Sequence, residues 1–135
     1  MSAEYKHSDI TELIIRAFSP GHNKLGYGFL EKVYSNAMAI ELQKLGLDVR
    51  QSVKILVHYE GQVVGEYFAD QVVADRVIVE LKAVEALVPE HEAKLLNYQK
   101  ATPYEVGLLL NFGPKPQFNR KAFDNVNKGT MSWTK

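Results

Sequence analysis

The sequence predicts an α/β fold, a mixed central sheet flanked by helices in the order α-α-β-β-β-α-β. Three observations predict it. Apolar residues between Ser8 and Gly46 recur at helical spacing, those from Val49 to Val84 alternate, and a helical stretch from Pro89 leads into the apolar run Val106 to Leu110. Two helices, three meandering strands and a crossover helix returning to one more strand bury their apolar sides together as a sheet covered by helices.

Each element has its own signal. Ser8 or Asp9 is placed to cap the first helix, with Glu12 three residues after Asp9 to return a capping bond. Ile10, Leu13, Ile14, Ala17 and Phe18 share one face of it, and Ser19-Pro20-Gly21 is expected to end it. After a connection with turn-prone Asn23, Gly26 and Gly28, a second helix turns Leu30, Val33, Tyr34, Ala37 and Met38 inward and stops at Gly46. Val49, Val53, Ile55, Val57 and Tyr59 then point one way, and Arg50, Ser52, Lys54, His58 and Glu60 the other, as in a half-buried strand. Glu60-Gly61-Gln62 turns the chain into a strand from Val63 to Val73, and Ala74-Asp75-Arg76 turns it again into Val77 to Val84. Pro89 suits the first turn of a helix running to Ala101, because the N–H it lacks has no partner there. Val106, Leu108, Leu109 and Leu110 read as a strand buried on both faces, and Gly113-Pro114 stops it.

The 135 residues are enough for one domain, taken as 1–124, followed by a polar tail over 125–135. Absence of cysteine excludes a disulfide scaffold, a thiol nucleophile and a cysteine zinc site. Sixteen Lys and Arg against sixteen Asp and Glu argue against a strongly basic nucleic-acid coat but allow a local basic groove. The polar start has no apolar leader, and the longest apolar run is far short of the ~20 residues that span a bilayer, so a soluble cytoplasmic protein without a membrane partner is expected.

The chemistry lies where charge interrupts an apolar strand. Val77, Val79 and Leu81 fill one face of their strand; on the other, Ile78 is followed by Glu80 and Lys82. If Ala74-Asp75-Arg76 is a three-residue turn, Asp70 stands opposite Glu80; a turn shorter or longer by one sends the two carboxylates to opposite faces. Two carboxylates and a lysine on one face suit Mg²⁺ or Mn²⁺, which prefers hard oxygen ligands, and equally form a cross-strand salt-bridge ladder. Glu31, beside the inner stripe of the second helix, is a third acidic candidate or a boundary residue with its head in water.

Here the chain resembles a family of small bacterial and archaeal proteins. Gly28-Phe29-Leu30-Glu31-Lys32-Val33-Tyr34 carries the GxxExxY signature that names it. The stretches Tyr67 to Asp70, Ile78 to Val84, His91 to Tyr98 and Leu108 to Gly113 resemble its later blocks, so the likeness runs over residues 8 to 123. That family is placed in the PD-(D/E)xK nuclease superfamily, with a restriction-endonuclease-like core. The resemblance implies that Asp70, Glu80 and Lys82 are catalytic. It implies a metal shell of Glu31, Asp70, Glu80 and the main-chain carbonyl of Leu81. Tyr34 of the signature and Lys94 and Tyr98 at the Q-x-x-x-Y spacing are accessory candidates, Tyr98 being equally a core aromatic with its hydroxyl at the rim. His91, on the helical face of Lys94 and Tyr98, is either a proton shuttle or a partly exposed helix histidine. Lys94 stands where RecB-like members carry the glutamine of Q-x-x-x-Y, either contacting phosphate or competing for Glu80.

The expected function is a Mg²⁺-dependent (or Mn²⁺-dependent) nuclease that hydrolyses DNA phosphodiester bonds with metal-activated water. Lys24, Lys32, Lys94, Lys100, Lys115, Arg120 and Lys121 are placed to contact phosphate or are ordinary solvated cations. The alternatives are a nucleic-acid-binding or accessory protein on the same fold that no longer cuts, and a module that docks a protein partner or a second copy of itself.

Overall fold

The computed structural model describes residues 6–129 and Trp133. Its elements are α1 (Ser8–Leu25), α2 (Glu31–Lys44), β1 (Val49–Tyr59), β2 (Gln62–Val73), β3 (Val77–Lys82), α3 (Pro89–Lys100), β4 (Val106–Asn111) and β5 (Gln117–Ala122). The strands form one sheet in the spatial order β1-β2-β3-β4-β5. Neighbours are antiparallel except β3 and β4, which the α3 crossover makes parallel. The mixed sheet flanked by helices is the predicted architecture.

Two apolar layers hold the sheet. On one face α1 and α2 bring Ile14, Phe18, Tyr34, Met38 and Leu42 against Val79, Leu81, Leu108 and Leu110. On the other, Leu95 and Tyr98 of α3 pack on Ile78 and Leu109. Covered on both sides, β3 and β4 are buried at every position except Lys82, which explains their nearly unbroken apolar runs.

Several local expectations are corrected. α1 does not end at Ser19-Pro20-Gly21 but continues to Leu25 with Pro20 inside it. The lost Pro20 N–H bond is offset by packing beyond it. Gly21 is buried against Phe112, and His22 Nε2 lies 2.8 Å from the Gly113 carbonyl oxygen. Neither Ser8 nor Asp9 caps α1: His7 occupies the cap position in left-handed conformation, and its carbonyl takes the Ile10 and Thr11 amides. The inner face of α2 is rotated from the one expected, since Leu30 is 80% exposed while Ser35, Ala39 and Leu42 are buried. β3 stops at Lys82, and β5 was not foreseen because Gln117–Ala122 is a polar edge strand with little alternation. Of the segment read as a polar tail, Asn125–Asn127 forms a 3₁₀ turn and Lys128 is buried.

The β1–β2 hairpin does not keep one face throughout. Gln51 and Gln71 both donate to Ser35 of α2, and Val49 packs on the layer beneath α1 and α2. Val53, Ile55 and Ala69, by contrast, belong to the α3 layer. The alternation therefore inverts in both strands between these levels, at Ser52 and, across from it, Asp70, which the shared register of Gln51–Gln71 and Val53–Ala69 places opposite each other. Ser52 has φ 54°, a left-handed conformation that accounts for the inversion in β1. This corrects the expectation that Val49 and Val53 point the same way.

Candidate active site at the β2–β3 junction

The turn between β2 and β3 has three residues, Ala74 to Arg76, with Val73 opposite Val77. Ladder pairing runs through Val72–Ile78 to Gln71–Val79 and stops there. That register places Asp70 opposite Glu80. Beyond Gln71 the side chains replace the ladder: Asp70 Oδ2 accepts the Leu81 N–H at 2.7 Å, and Glu80 Oε1 accepts the Asp70 N–H at 3.0 Å. Two carboxylates thus bridge the point where β2 leaves β3.

Glu80 is 3% exposed and in step with Ile78, so it faces α3. Burial, and then the adjacent Asp70 charge, push its carboxyl up to about 8; the Asp70 amide and the ammonium groups of Lys94 and Lys82 act in the opposite sense. Lys82 ends β3, half-buried, and its carbonyl accepts the Phe112 N–H at 2.7 Å. The loop after it is clamped by Asn111, whose amide bonds both the N–H and the carbonyl of Val84 at 3.0 Å. Gly113 makes this clamp feasible, since a Cβ there would lie 1.8 Å from the Val84 oxygen.

α3 adds two side chains. Lys94 Nζ lies over the Tyr98 ring, 5.6 Å from its centroid. Burial, followed by the charges of Glu80 and Asp70, pushes the Tyr98 hydroxyl up to about 12. Its ring packs in one layer with Ile78, which shares its face of β3 with Glu80. Tyr67 of β2 completes the group, its ring 5.7 Å from that of Tyr98. Tyr67 was not singled out as a site residue. Its signal was position: it shares the inverted face of β2 with Ala69.

The structure does not gather the remaining expected residues here. Glu31 is exposed at the first position of α2, on the sheet face opposite α3, and among the described residues no group of three or more His, Asp or Glu stands together to hold a metal ion. Tyr34 is buried in the α1–α2 layer. Its hydroxyl donates to the Gly26 carbonyl at 2.7 Å and accepts the Phe29 N–H, pinning the turn before α2. His91 Nδ1 accepts the Val88 N–H at 3.1 Å and so closes the start of its own helix. Of the lysines and arginine expected near phosphate, Lys121 is paired with Glu92 at 2.6 Å and Arg120 donates to the Lys6 carbonyl.

The donor set that remains is oxygen only. Asp70 and Glu80 supply carboxylates. The Leu81 carbonyl faces the same side as its N–H, which Asp70 accepts, because the two groups of one strand residue share an edge. Two close carboxylates, one of them pushed up by burial and then by the charge of the other, are the arrangement a divalent cation relieves. Mg²⁺ characteristically binds through one or two carboxylates and keeps several waters, so these residues fit it.

A family model described as the PD-(D/E)XK nuclease superfamily matches residues 8–121. Among solved structures, one titled "Crystal structure of SSO0001" superposes with a TM-score of 0.52 at 16% identity, a likeness of fold. The alignment covers 90% of this chain and 61% of that one, so the chain spans less than two thirds of its length. No curated protein matches the sequence significantly.

Proposed function

Because the chain belongs to the PD-(D/E)XK nuclease superfamily, we propose that it is a metal-dependent nuclease that hydrolyses phosphodiester bonds of DNA. Within the superfamily we place it with the GxxExxY proteins, on the Gly28 to Tyr34 segment, and in the cytoplasm; no helix among the described residues is long and apolar enough to cross a membrane. The observation that carries the reading is the register of β2 on β3, which sets Asp70 against Glu80 with Lys82 two residues on.

In this reading Asp70, Glu80 and the Leu81 carbonyl hold Mg²⁺ or Mn²⁺, which supplies charge for the phosphoryl oxygens and a water of lowered pKa. Glu80 gives up its proton on taking part. Lys82 orients the attacking water and opposes the negative charge that develops on phosphorus. The water oxygen would form the new P–O bond as it loses a proton to solvent, one ester P–O bond would break, and the departing oxygen would take a proton from solvent. Lys94 is placed to hold a neighbouring phosphate.

One observation favours a second reading, a nucleic-acid-binding protein that does not cut. The carboxylates of Asp70 and Glu80 are each already bonded to a main-chain amide. Incubation with plasmid and single-stranded DNA in Mg²⁺ or Mn²⁺ decides between them. Cleavage is expected for the parent, with a loss of about a hundredfold or more in Asp70→Ala and in Lys82→Ala. Cleavage that persists in both variants overturns the assignment, and binding without cleavage in the parent establishes the second reading.

A further inference from the structure

Beyond the ladder that ends at Gln71, the β1–β2 hairpin stands away from β3 as an arm, and a cavity of about 670 Å³ opens between this arm and α3. Val57 and Tyr67 line it from the arm, and Lys94, Asn97, Tyr98 and Lys100 from the helix. Tyr98 packs in one layer with Ile78, which shares its face of β3 with Glu80, so the cavity lies on the sheet face that carries Glu80.

Its lining combines aromatic rings with lysines. The charged lysine and carboxylate side chains of the lining are Lys94 and Lys100 against Glu90, a cationic excess in a chain whose formal charge is zero. Tyr67 is 48% exposed, yet its ring is not loose. It leans on Tyr98 at 48°, and one ring carbon lies 3.1 Å from where a Cβ on Gly65 would be, so the missing side chain of Gly65 lets the ring settle along the arm. A fixed aromatic face flanked by cations is what a nucleobase and its phosphates recognise by stacking and charge. Asn97 adds an amide with both donor and acceptor for a base edge. The volume suits a small ligand such as one or two nucleotides and is far below that of a stretch of duplex.

We propose that this cavity is a base pocket for an unpaired strand, with Tyr67 as its stacking platform, so that the substrate class of the adjoining site is single-stranded nucleic acid. The proposal rests on the nuclease reading for what happens at the neighbouring phosphate, but not for the binding itself. In EDTA, where no hydrolysis proceeds, fluorescence anisotropy compares a labelled single strand of DNA with its duplex, with the RNA strand and with an abasic strand. The single strand is expected to bind at least about tenfold more tightly than the duplex, and Tyr67→Ala to weaken it about tenfold, the effect of removing one stacked base. Tyr67→Phe should retain the affinity, and the abasic strand should bind the parent as weakly as the intact strand binds Tyr67→Ala. RNA bound as tightly as DNA supports a pocket that reads the base, and DNA preferred supports one that also reads the sugar. Equal affinity for strand and duplex, no binding to either, or a Tyr67→Ala protein that melts like the parent and binds like it overturns the proposal. Tyr67-dependent binding without cleavage in Mg²⁺ removes the nuclease reading and leaves the pocket. Cleavage of strand and duplex at equal rates, unaffected by Tyr67→Ala, does the reverse.

Discussion

Glu80 carries a proton that an exposed glutamate would have lost. Burial beside Asp70 raises its carboxyl from 4.5 to about 8. Below 4.5 the folded and unfolded chains both hold that proton. As pH rises from there to about 8, the unfolded chain releases it while the folded chain retains it, so the stability associated with this group is progressively lost. Glu80→Gln keeps the acceptor for the Asp70 N–H and removes the titration. In thermal melts without divalent cation, Glu80→Gln is expected to raise the melting temperature by several degrees at pH 8, with the gain vanishing near pH 5. A gain independent of pH contradicts a carboxyl raised by burial. At this scale the placement of Asp70 opposite Glu80 was legible because a charge inside an apolar strand is costly and the turn length sets which residues meet. Glu31 and His91 were not, for different reasons. The sheet face that a helix covers is absent from its own periodicity, and the bond of His91 to Val88 is a local cap that spacing does not distinguish from a site.

The hairpin owes its placement to one backbone conformation. A residue with a β-carbon at φ near +55° costs about 1 kcal/mol, and Ser52 adopts it where the faces of β1 exchange. Ser52→Gly removes the steric cost but adds unfolded-chain entropy, so it should be neutral or stabilising by about 0.5 kcal/mol, whereas Ser52→Val should lose about 2 kcal/mol. Urea midpoints measure both; a valine variant as stable as the parent contradicts the strained turn. The strand itself was legible in Val53, Ile55 and Val57. Its inversion was not, because serine gives no warning of positive φ as glycine does. α1 shows the same limit from the other side: Pro20 reads as a stop, and only the distant Phe112 and Gly113 explain why the helix continues to Leu25. β5 contributes ladder bonds along β4 more than apolar area, so periodicity passes over it.

Across the whole molecule, residues far apart in the chain are tied near one corner. Lys6 pairs with Glu105 at 3.1 Å and with Asp124 at 3.4 Å, and Asn125 N–H donates to Glu105. Lys128 is 1% exposed, and its ammonium donates to the carbonyls of Thr102 and Tyr104. Burial lowers its pKa to about 8, against the raising influence of Glu105 and Asp124. Lys128→Ala leaves two carbonyls without their donor and should cost about 3 kcal/mol, read as a fall in the urea midpoint; a loss under about 0.5 kcal/mol shows that water replaces the ammonium. Such a buried lysine reads from sequence as one more polar tail residue, since its partners lie in the α3–β4 loop. The balance of sixteen bases and sixteen acids was likewise legible only as a sum, while the structure allots two lysines to the cavity and ties others to acids. One further consequence concerns mechanics. Asp70 and Glu80 are also the hinge pins of the arm, because their carboxylates are the last bonds between β2 and β3 before the two strands part. If they hold a cation as proposed, the same two carboxylates serve both cargo and joint. Loading the site then slackens the joint, and hydrogen exchange at the Asp70 and Leu81 amides is expected to quicken in Mg²⁺ while the amides of Gln71 and Val79 stay protected.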